Sequence, residues 1–317
     1  MAAECVIGVD LGGTKLLAGV VDSDLVVRHR AFRPSPRSGA LDAIEEVVRE
    51  LVQVSDVPVE AVGMGIPSLM DRDRGTAMWT NHLDLRDAAV RDLMAERIGL
   101  PVAVDNDANA ALLAEHQAGA AKGAAHAVML TLGTGIGGAV VAAGRLLRGA
   151  HGTAGEFGHL VVDKDGPPCP GNCPNHGCLE ALASGTALAR EGERAAREAP
   201  DSALGRELAR GRDITGALVT ELAHDGDEAA VGAVSLVGRN LGVGLAGIAN
   251  VLDPEVIVIG GGVIGAGELL LGPARDELAA RALPPVAATV RVEAAHFGDE
   301  AGMLGAALLA REGPVDG

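Results

Sequence analysis

The chain contains 317 residues, 48% of them hydrophobic, and carries a formal net charge of −17. This length suggests roughly two domains, and the apolar content is enough to build a core in each. The acidic balance argues against a nucleic-acid partner, whose phosphates require a basic face. Aromatic residues make up only 1% of the chain. Base stacking therefore has almost no platform, and a small polar substrate would be held by hydrogen bonds and carboxylates.

We expect neither export nor membrane insertion. The first four residues lack the basic segment of a secretory signal. The longest apolar stretch, 229–252, contains Arg239 and Asn240 and is rich in glycine, which favours a buried helix over a membrane span. The expected location is the cytoplasm, without a membrane partner.

Strand-like and helix-like periodicities alternate along the chain. In chain order we predict strands over 5–10, 16–22 and 25–33, a helix over 38–54, a strand over 59–65, a looped hairpin to 81, a helix over 86–98, a strand over 102–104 and a helix from about 106. A hairpin over 127–147, an insertion over 148–178, helices through 179–252, a strand over 255–259, a helix over 266–281, a strand over 288–294 and a helix over 300–311 follow.

This alternation predicts two related α/β halves with a cleft between them. We place the boundary near Glu115, which gives an N-terminal domain over 1–115 and a C-terminal domain over 116–299. The last helix, within 300–317, is a candidate to return to the first domain.

Two glycine-rich turns of the same kind occur more than a hundred residues apart, within 6–21 and 128–141. Each follows an apolar strand and precedes another. We attribute their glycines to positive φ and to the missing side chain, which let successive backbone N–H groups converge on a phosphate. Two such hairpins facing each other would hold a nucleotide's phosphates from both sides, so the pattern predicts an ATP-using enzyme. The Walker sequence G-x-x-x-x-G-K-[ST] does not occur.

Three polar residues, Asp105, Asn106 and Asp107, join a buried strand to a helix. Capping of the helix is one interpretation, but three such residues exceed what a cap requires. The helix dipole favours a charged carboxylate at this end. We therefore expect Asp107 to be ionised at neutral pH and able to accept a hydroxyl proton during phosphoryl transfer.

Three cysteines, Cys169, Cys173 and Cys178, lie within ten residues among Pro, Gly and Asn. In a cytosolic protein this pattern favours a metal over a disulfide, with free thiols as the alternative. Three thiolates and one imidazole would complete a tetrahedral zinc site of structural type. His159 is the favoured fourth ligand and His176 the competitor.

A third glycine-rich segment, 260–265, follows a strand and matches G-x-G-x-x-G. Alone it would suggest a dinucleotide-dependent oxidoreductase. That alternative explains neither the paired hairpins nor the cysteines, so we interpret Gly260 and Gly261 as backbone that approaches an adenosine.

Together these segments resemble the ROK family (repressors, uncharacterised reading frames and kinases), within the actin/hexokinase-like ATPase fold. The resemblance covers essentially the whole chain. It implies a two-domain α/β fold with ribonuclease H-like halves and an interdomain active-site cleft, and a kinase that phosphorylates glucose at the 6-hydroxyl with ATP. The matching segments are 10–15, 106–111, 133–138, 156–159 and 177–180.

The resemblance also implies roles for individual residues. Asp107 would be the general base, and Asp10 would act near Mg²⁺. The sugar-binding residues would be Gly65, Pro67, Asn81, Asn106, Asp107, Glu156, His159 and Glu180.

ATP, Mg²⁺ and a structural Zn²⁺ are the implied cofactors, and a homodimer or homotetramer is the implied assembly. Zinc would be held by His159, Cys169, Cys173 and Cys178. The nucleotide-binding residues would be Asp10, Gly12, Gly13, Thr14, Lys15, Thr134, Gly135, Gly260 and Gly261.

The sequence departs from the family pattern in three places. The family's cysteine segment begins C-x-C-G, whereas three residues separate Cys169 from Cys173, so the choice between Cys169 and His176 as a ligand stays open. Ser68 replaces the last glycine of the G-x-P-G element, which we expect to reshape one wall of the sugar site. Family repressors carry a helix-turn-helix before the first glycine turn, and the short segment before that turn here disfavours a DNA-binding regulator.

Other functions remain as alternatives. A kinase of this family for fructose, mannose, allose or N-acetylmannosamine would show the same pattern, and a polyphosphate-dependent kinase is a further variant. A sugar-sensing binding protein without catalysis would have no need of a base at Asp107.

Overall fold

The computed structural model describes residues 5–36, 38–71, 73–80 and 85–313. Asn81 lies outside the described residues. The strands are β1 (Cys5–Leu11), β2 (Lys15–Val21), β3 (Val27–Pro34), β4 (Val59–Ile66), β5 (Leu69–Asp71), β6 (Thr76–Trp79), β7 (Val102–Asn106), β8 (Ala127–Leu132), β9 (Ile136–Ala142), β10 (Arg145–Leu146), β11 (Val256–Gly260) and β12 (Arg291–Ala294). The α-helices are α1 (Ala40–Val54), α2 (Val90–Ile98), α3 (Asp107–Ala118), α4 (Leu179–Ala183), α5 (Gly185–Glu198), α6 (Ala203–Ala209), α7 (Gly216–His224), α8 (Glu228–Leu252), α9 (Glu268–Arg281), α10 (Pro284–Ala287) and α11 (Ala301–Glu312).

The chain divides into two compact units. The first comprises Met1–Gly123, Ala139–Gly155 and His296–Gly317, and the second comprises Ala124–Gly138 and Glu156–Ala295. The domain limits predicted from sequence, 1–115 and 116–299, stay a prediction.

A five-stranded sheet with the order β3-β2-β1-β4-β7 forms the centre of the first unit. Helices α1 and α2 cover one face, where Ile7 and Val9 are buried with Ile44. Helices α3 and α11 cover the other face, where Val6 and Leu17 join the α11 core. Because β1, β4 and β7 run parallel, their carboxyl ends meet at one edge of the sheet.

A second five-stranded sheet has the order β10-β9-β8-β11-β12. Strand β11 runs parallel to both β8 and β12. Helix α8 is long and apolar enough to cross a membrane, but more than half of its most apolar stretch is buried. It packs against α5, α7 and α9, as predicted for the core helix over 229–252.

Two predicted element boundaries are wrong. Helix α2 begins at Val90 instead of residue 86, because Ala88 forms a β-bridge with Ala77. Strand β12 begins at Arg291 instead of residue 288, because Pro284–Ala287 is helical and the chain turns after it. The looped hairpin predicted before residue 81 contains the short antiparallel pair β5-β6.

Candidate active site

The β1-β2 hairpin of the first unit exposes the tip predicted to contact phosphate. Its turn is closed by the Gly12 amide, which donates to the Lys15 carbonyl at 2.8 Å. Gly13 and Thr14 are exposed. The Lys15 ammonium donates to the Asp299 carbonyl at 2.9 Å and lies 3.4 Å from that residue's carboxylate. The hairpin therefore presents open backbone beside a lysine held in place.

The matching β8-β9 turn in the second unit is stabilised by hydrogen bonds, one of them to the Glu180 carboxylate. The Gly133 amide donates to the Gly135 carbonyl at 2.9 Å, and the Gly185 amide donates to the Gly133 carbonyl at 2.8 Å. The Glu180 Oε2 accepts the Ile136 amide at 2.7 Å. One oxygen of this predicted sugar ligand thus also fixes the phosphate hairpin.

Positive φ is not why glycine occupies these tips, and that part of our expectation is wrong. None of Gly12, Gly133 and Gly135 has a left-handed backbone. A Cβ on Gly133 would meet nothing within 4 Å, whereas a Cβ on Gly135 would overlap the Glu180 carboxylate. Glycine here supplies bare backbone at Gly133 and space for a carboxylate at Gly135.

Four predicted site residues lie at the carboxyl edge of the first sheet. Asp10 of β1 pairs with Gly65 of β4, and Gly65 pairs with Asp105 of β7. Asn106 follows at the end of β7 and Asp107 opens α3. The fold therefore brings the phosphate hairpin and the predicted base to the same edge.

The N-terminus of α3 is capped as predicted. The Asn106 Oδ1 accepts the amides of Ala108 at 2.9 Å and Asn109 at 3.2 Å. The Asn106 Nδ2 donates to the Ser68 carbonyl at 3.3 Å. Asn106 is thus oriented by its own helix and by the chain that follows Pro67.

Burial dominates the electrostatics of the two acids at this edge. It raises the pKa of Asp107 to about 6, against the lowering effect of hydrogen bonds from the Ala108 amide and the Asn106 side chain. It also raises the pKa of Asp10 to about 7, reinforced by the negative charge of Asp107 and opposed by Lys15. Our expectation that the dipole would favour the charged form missed this burial. With a pKa of about 6, Asp107 is still mostly ionised at neutral pH.

Ser68 joins two parts of the first unit. It is 4% exposed. Its hydroxyl lies 3.0 Å from the Trp79 carbonyl of β6 and 2.9 Å from the Leu69 carbonyl. Ser68, which stands where the family pattern has glycine, thus connects the turn after Pro67 to the β5-β6 hairpin.

The second unit gathers His159, Cys169, Cys173 and Cys178, whose donor atoms all lie within 4.8 Å of one another. The His159 Nδ1 is 3.5 Å from the Cys169 Sγ, and the Cys173 and Cys178 sulfurs are 4.0 Å apart. Zinc–sulfur bonds in a tetrahedral site place sulfurs roughly 3.8 Å apart, so this donor set fits a structural zinc ion.

Cys169 belongs to this cluster, whereas the competing His176 is exposed and stands outside it. The longer spacing between Cys169 and Cys173 is taken up by an exposed turn in which Gly171 has a φ of 72°. The unusual spacing lengthens a loop and leaves the ligand set intact.

The cluster, the second hairpin and two predicted sugar ligands form one packed assembly. The Nε2 of His159 lies 3.9 Å from the Glu156 Oε2. Between these residues, a Cβ on Gly158 would overlap the Ile136 carbonyl, so the turn packs directly on β9. Glu180 lies in the first turn of α4, two residues after Cys178. A metal held here would fix the backbone that presents both glutamates.

The end of β11 does not build a dinucleotide site. Gly261 has a φ of 83°, and a Cβ there would lie 2.5 Å from the Leu132 carbonyl at the end of β8. Gly262–Ala266 then form a short 3₁₀ turn. A dinucleotide fold needs an α-helix that opens directly on the glycines and binds the pyrophosphate, so this alternative loses its only support.

One interaction at the site was missed by sequence reasoning. The buried Asp105 carboxylate accepts a hydrogen bond from the Arg148 Nε at 2.6 Å. The sequence shows Asp105 as one of three polar residues between a strand and a helix and does not indicate its partner. Arg148 carries no sequence signal, because it lies 43 residues away in a loop.

The two glycine hairpins, the acids beside the first of them and the paired sheets define a two-domain ATPase of the actin/hexokinase-like fold. A model of the ROK family matches residues 6–313, and the chain belongs to this family. The resemblance found in the sequence is confirmed.

The relatives it is similar to include two glucokinases. One, from Streptomyces coelicolor, is 38% identical over 96% of this chain and 97% of its own length. The other, from Thermotoga maritima, is 38% identical with the same coverage of both chains. Among solved structures, a ROK family glucokinase from Streptomyces griseus in complex with glucose and AMPPNP superposes with a TM-score of 0.89. It is 38% identical, and the match covers 98% of this chain and 100% of that one.

Proposed function

We propose that this protein transfers the γ-phosphoryl group of ATP to the 6-hydroxyl of glucose. The observation that carries the proposal is Asp107, an acid with a pKa of about 6 at the start of α3, on the same sheet edge as the phosphate hairpin. A base with a pKa slightly below working pH is suited to accept a hydroxyl proton. The glucokinases of similar sequence, and the similar structure with glucose and AMPPNP, support this substrate pair.

In this mechanism Asp107 orients the sugar hydroxyl and takes its proton as the hydroxyl attacks the γ-phosphorus. The bond from the γ-phosphorus to the β–γ bridging oxygen breaks, and ADP leaves. Backbone amides of Gly13 and Gly135 donate to phosphate oxygens, on which negative charge is spread in the transition state. Gly12, whose own amide closes the turn onto Lys15, places bare backbone beside them. Bound Mg²⁺ would neutralise the β- and γ-phosphates, and Asp10 is the residue that would hold it.

The remaining roles are those carried by the family resemblance. Sugar hydroxyls are held by Asn106, Glu156, His159 and Glu180 beside Gly65, Pro67 and Asn81. Thr14, Lys15 and Thr134 complete the phosphate contacts, and Gly260 and Gly261 approach the adenosine. His159, Cys169, Cys173 and Cys178 would hold a zinc ion. With four protein ligands the ion would have no open position for chemistry and would stabilise structure alone. The protein works in the cytoplasm as a homodimer or homotetramer.

A coupled assay of ADP release tests the proposal. Glucose, fructose, mannose, allose and N-acetylmannosamine are compared with ATP, and glucose is repeated with polyphosphate. We expect glucose with ATP to give the highest kcat/KM. A preference of about tenfold or more for another sugar, equivalent to about 1.4 kcal/mol, would assign a different kinase of the same family.

A further inference from the structure

We propose that Arg148 is a positioning residue for the base, acting on Asp107 through Asp105. This inference rests on the proposed kinase function, because it deepens the account of the same site. Neither Arg148 nor Asp105 is placed in contact with sugar or nucleotide.

Asp105 is a buried carboxylate whose two oxygens accept hydrogen bonds from different parts of the first unit. Its side chain is 1% exposed, and its Oδ2 accepts the Arg148 Nε at 2.6 Å. Its Oδ1 accepts the Asn106 amide at 2.8 Å and the Asn109 Nδ2 at 2.9 Å. One oxygen thus faces the arginine, and the other holds the residues on either side of the base.

These two contacts fix the first turn of α3. Asn106 is the N-cap that immediately precedes Asp107, and Asn109 lies two residues after it, at 3% exposure. The Asn109 Oδ1 is buried and has no hydrogen-bond partner. The Nδ2 bond to Asp105 is therefore the hydrogen bond that sets this amide's orientation. A rotation of the Asp105 carboxylate would disturb both residues and the base between them.

Arg148 supplies the charge that keeps this carboxylate in place. Loss of the arginine would remove the charged donor from the buried Oδ2, which is unfavourable for a carboxylate, so Asp105 would rotate or admit water. Arg148 is itself held by a closed loop, since its carbonyl accepts the Ala154 amide at 3.0 Å. In the same loop a Cβ on Gly152 would overlap the Met70 carbonyl, so the loop packs directly on β5.

The test replaces Arg148 by methionine, whose unbranched side chain reaches the position of the arginine Nε but carries neither the charge nor the donors. We expect kcat with glucose to fall by about 100-fold, because small displacements of a reacting group have effects of this size. The KM for ATP should stay within about twofold, since phosphate contacts are untouched. A loss confined to kcat separates positioning from general destabilisation.

Arg28→Met is the matched control. The Arg28 Nε donates to the Oδ2 of Asp22 at 2.8 Å, and Asp22 is likewise a buried carboxylate, at 2% exposure. Asp22 also accepts two backbone amides, from Asp24 and Val26. This variant breaks the same kind of pair in a turn that carries no site residue, so its kcat should equal that of the wild type.

Arg148→Lys provides a second variant if the methionine variant fails to fold. It keeps the charge but loses the planar guanidinium, so we expect a kcat about three- to tenfold below the wild type. The inference would be overturned if Arg148→Lys had the kcat of the wild type and Arg148→Met had the same kcat as Arg28→Met. If only the lysine variant folds, its unchanged kcat alone would do so. A wild-type protein that phosphorylates no sugar would instead refute the proposed function.

Discussion

The backbone of Gly65 packs directly against the start of α3 at Asp107. A Cβ atom on Gly65 would lie 3.3 Å from the Cα of Asp107 and 3.2 Å from the Ala110 Cβ. Strand β4 lies between the strand of Asp10 and the strand of Asp105. At Gly65 it therefore has no side chain beneath Asp107. Because both contacts are tighter than ordinary packing, any residue larger than glycine must push the helix outward.

Gly65→Ala tests this relationship. We expect kcat to fall by about tenfold as Asp107 shifts by a few tenths of an ångström. The free energy of unfolding should fall by about 1–3 kcal/mol through overpacking. Gly232→Ala is the control, because its Cβ would meet nothing within 4 Å in the exposed part of α8. A Gly65→Ala enzyme with wild-type kcat would show that the base tolerates displacement.

The pH dependence of kcat/KM for glucose should report the acids at the sheet edge. Asp107 must be deprotonated to accept a proton, and its pKa in the free protein is about 6. The contribution of Asp107 is therefore expected to be complete above pH 7 and to be lost as the pH falls through 6. Asp10, with a pKa of about 7, must also be ionised to hold Mg²⁺, so the apparent midpoint of activity should lie near pH 7. A rate that stays flat down to pH 5 would contradict the assignment.

Asp10→Asn should stabilise the protein free of ligand while removing activity. The folded-state pKa of Asp10, about 7, lies above its ordinary value of 3.8, so the folded state binds this proton more tightly. The charged form therefore reduces stability increasingly as the pH rises from 4 to 7. At pH 8 the variant should gain on the order of 4 kcal/mol in unfolding free energy, and at pH 4 almost nothing.

Urea unfolding at the two pH values, without ATP or Mg²⁺, measures this effect. Asp276→Asn is the control, because Asp276 is exposed on α9. Equal stability of Asp10→Asn and wild type at pH 8 would mean that the Asp10 charge is well solvated in the folded protein.

The cysteine cluster should hold one zinc ion per chain. We expect Cys169→Ser to lose the metal during purification, because one of four ligands is removed. His176→Asn should retain it, since His176 is exposed and outside the cluster. Metal analysis of protein purified without chelators decides the matter. Zinc lost from His176→Asn and kept by Cys169→Ser would reverse the ligand assignment.

Local patterns in the sequence were enough to predict much of this fold. The apolar runs on either side of each glycine turn gave both hairpins, and the polar residue before α3 gave its N-cap at Asn106. A predicted helix boundary was wrong where a residue pairs with another strand. Ala88 forms a β-bridge with Ala77 and therefore does not belong to α2.

The parts of the site that escaped prediction depend on burial and on contacts distant in sequence. The raised pKa of Asp107 comes from desolvation, which a helix-dipole argument does not contain. The bond from the Ile136 amide to Glu180 joins residues 44 apart, and that from Arg148 to Asp105 joins residues 43 apart. Neither pair has a local pattern by which it could be recognised.

The central claim is that Asp107 activates the 6-hydroxyl of glucose toward ATP. The most direct measurement is ADP release by the wild type and by Asp107→Asn, each with glucose and with 6-deoxyglucose. The wild type should release ADP with glucose but not with 6-deoxyglucose. Asp107→Asn should lower kcat with glucose by about 100- to 10,000-fold, while the free energy of ATP binding changes by less than about 1 kcal/mol. ADP release by Asp107→Asn at the wild-type rate, or equal release with the deoxy sugar, would contradict the account.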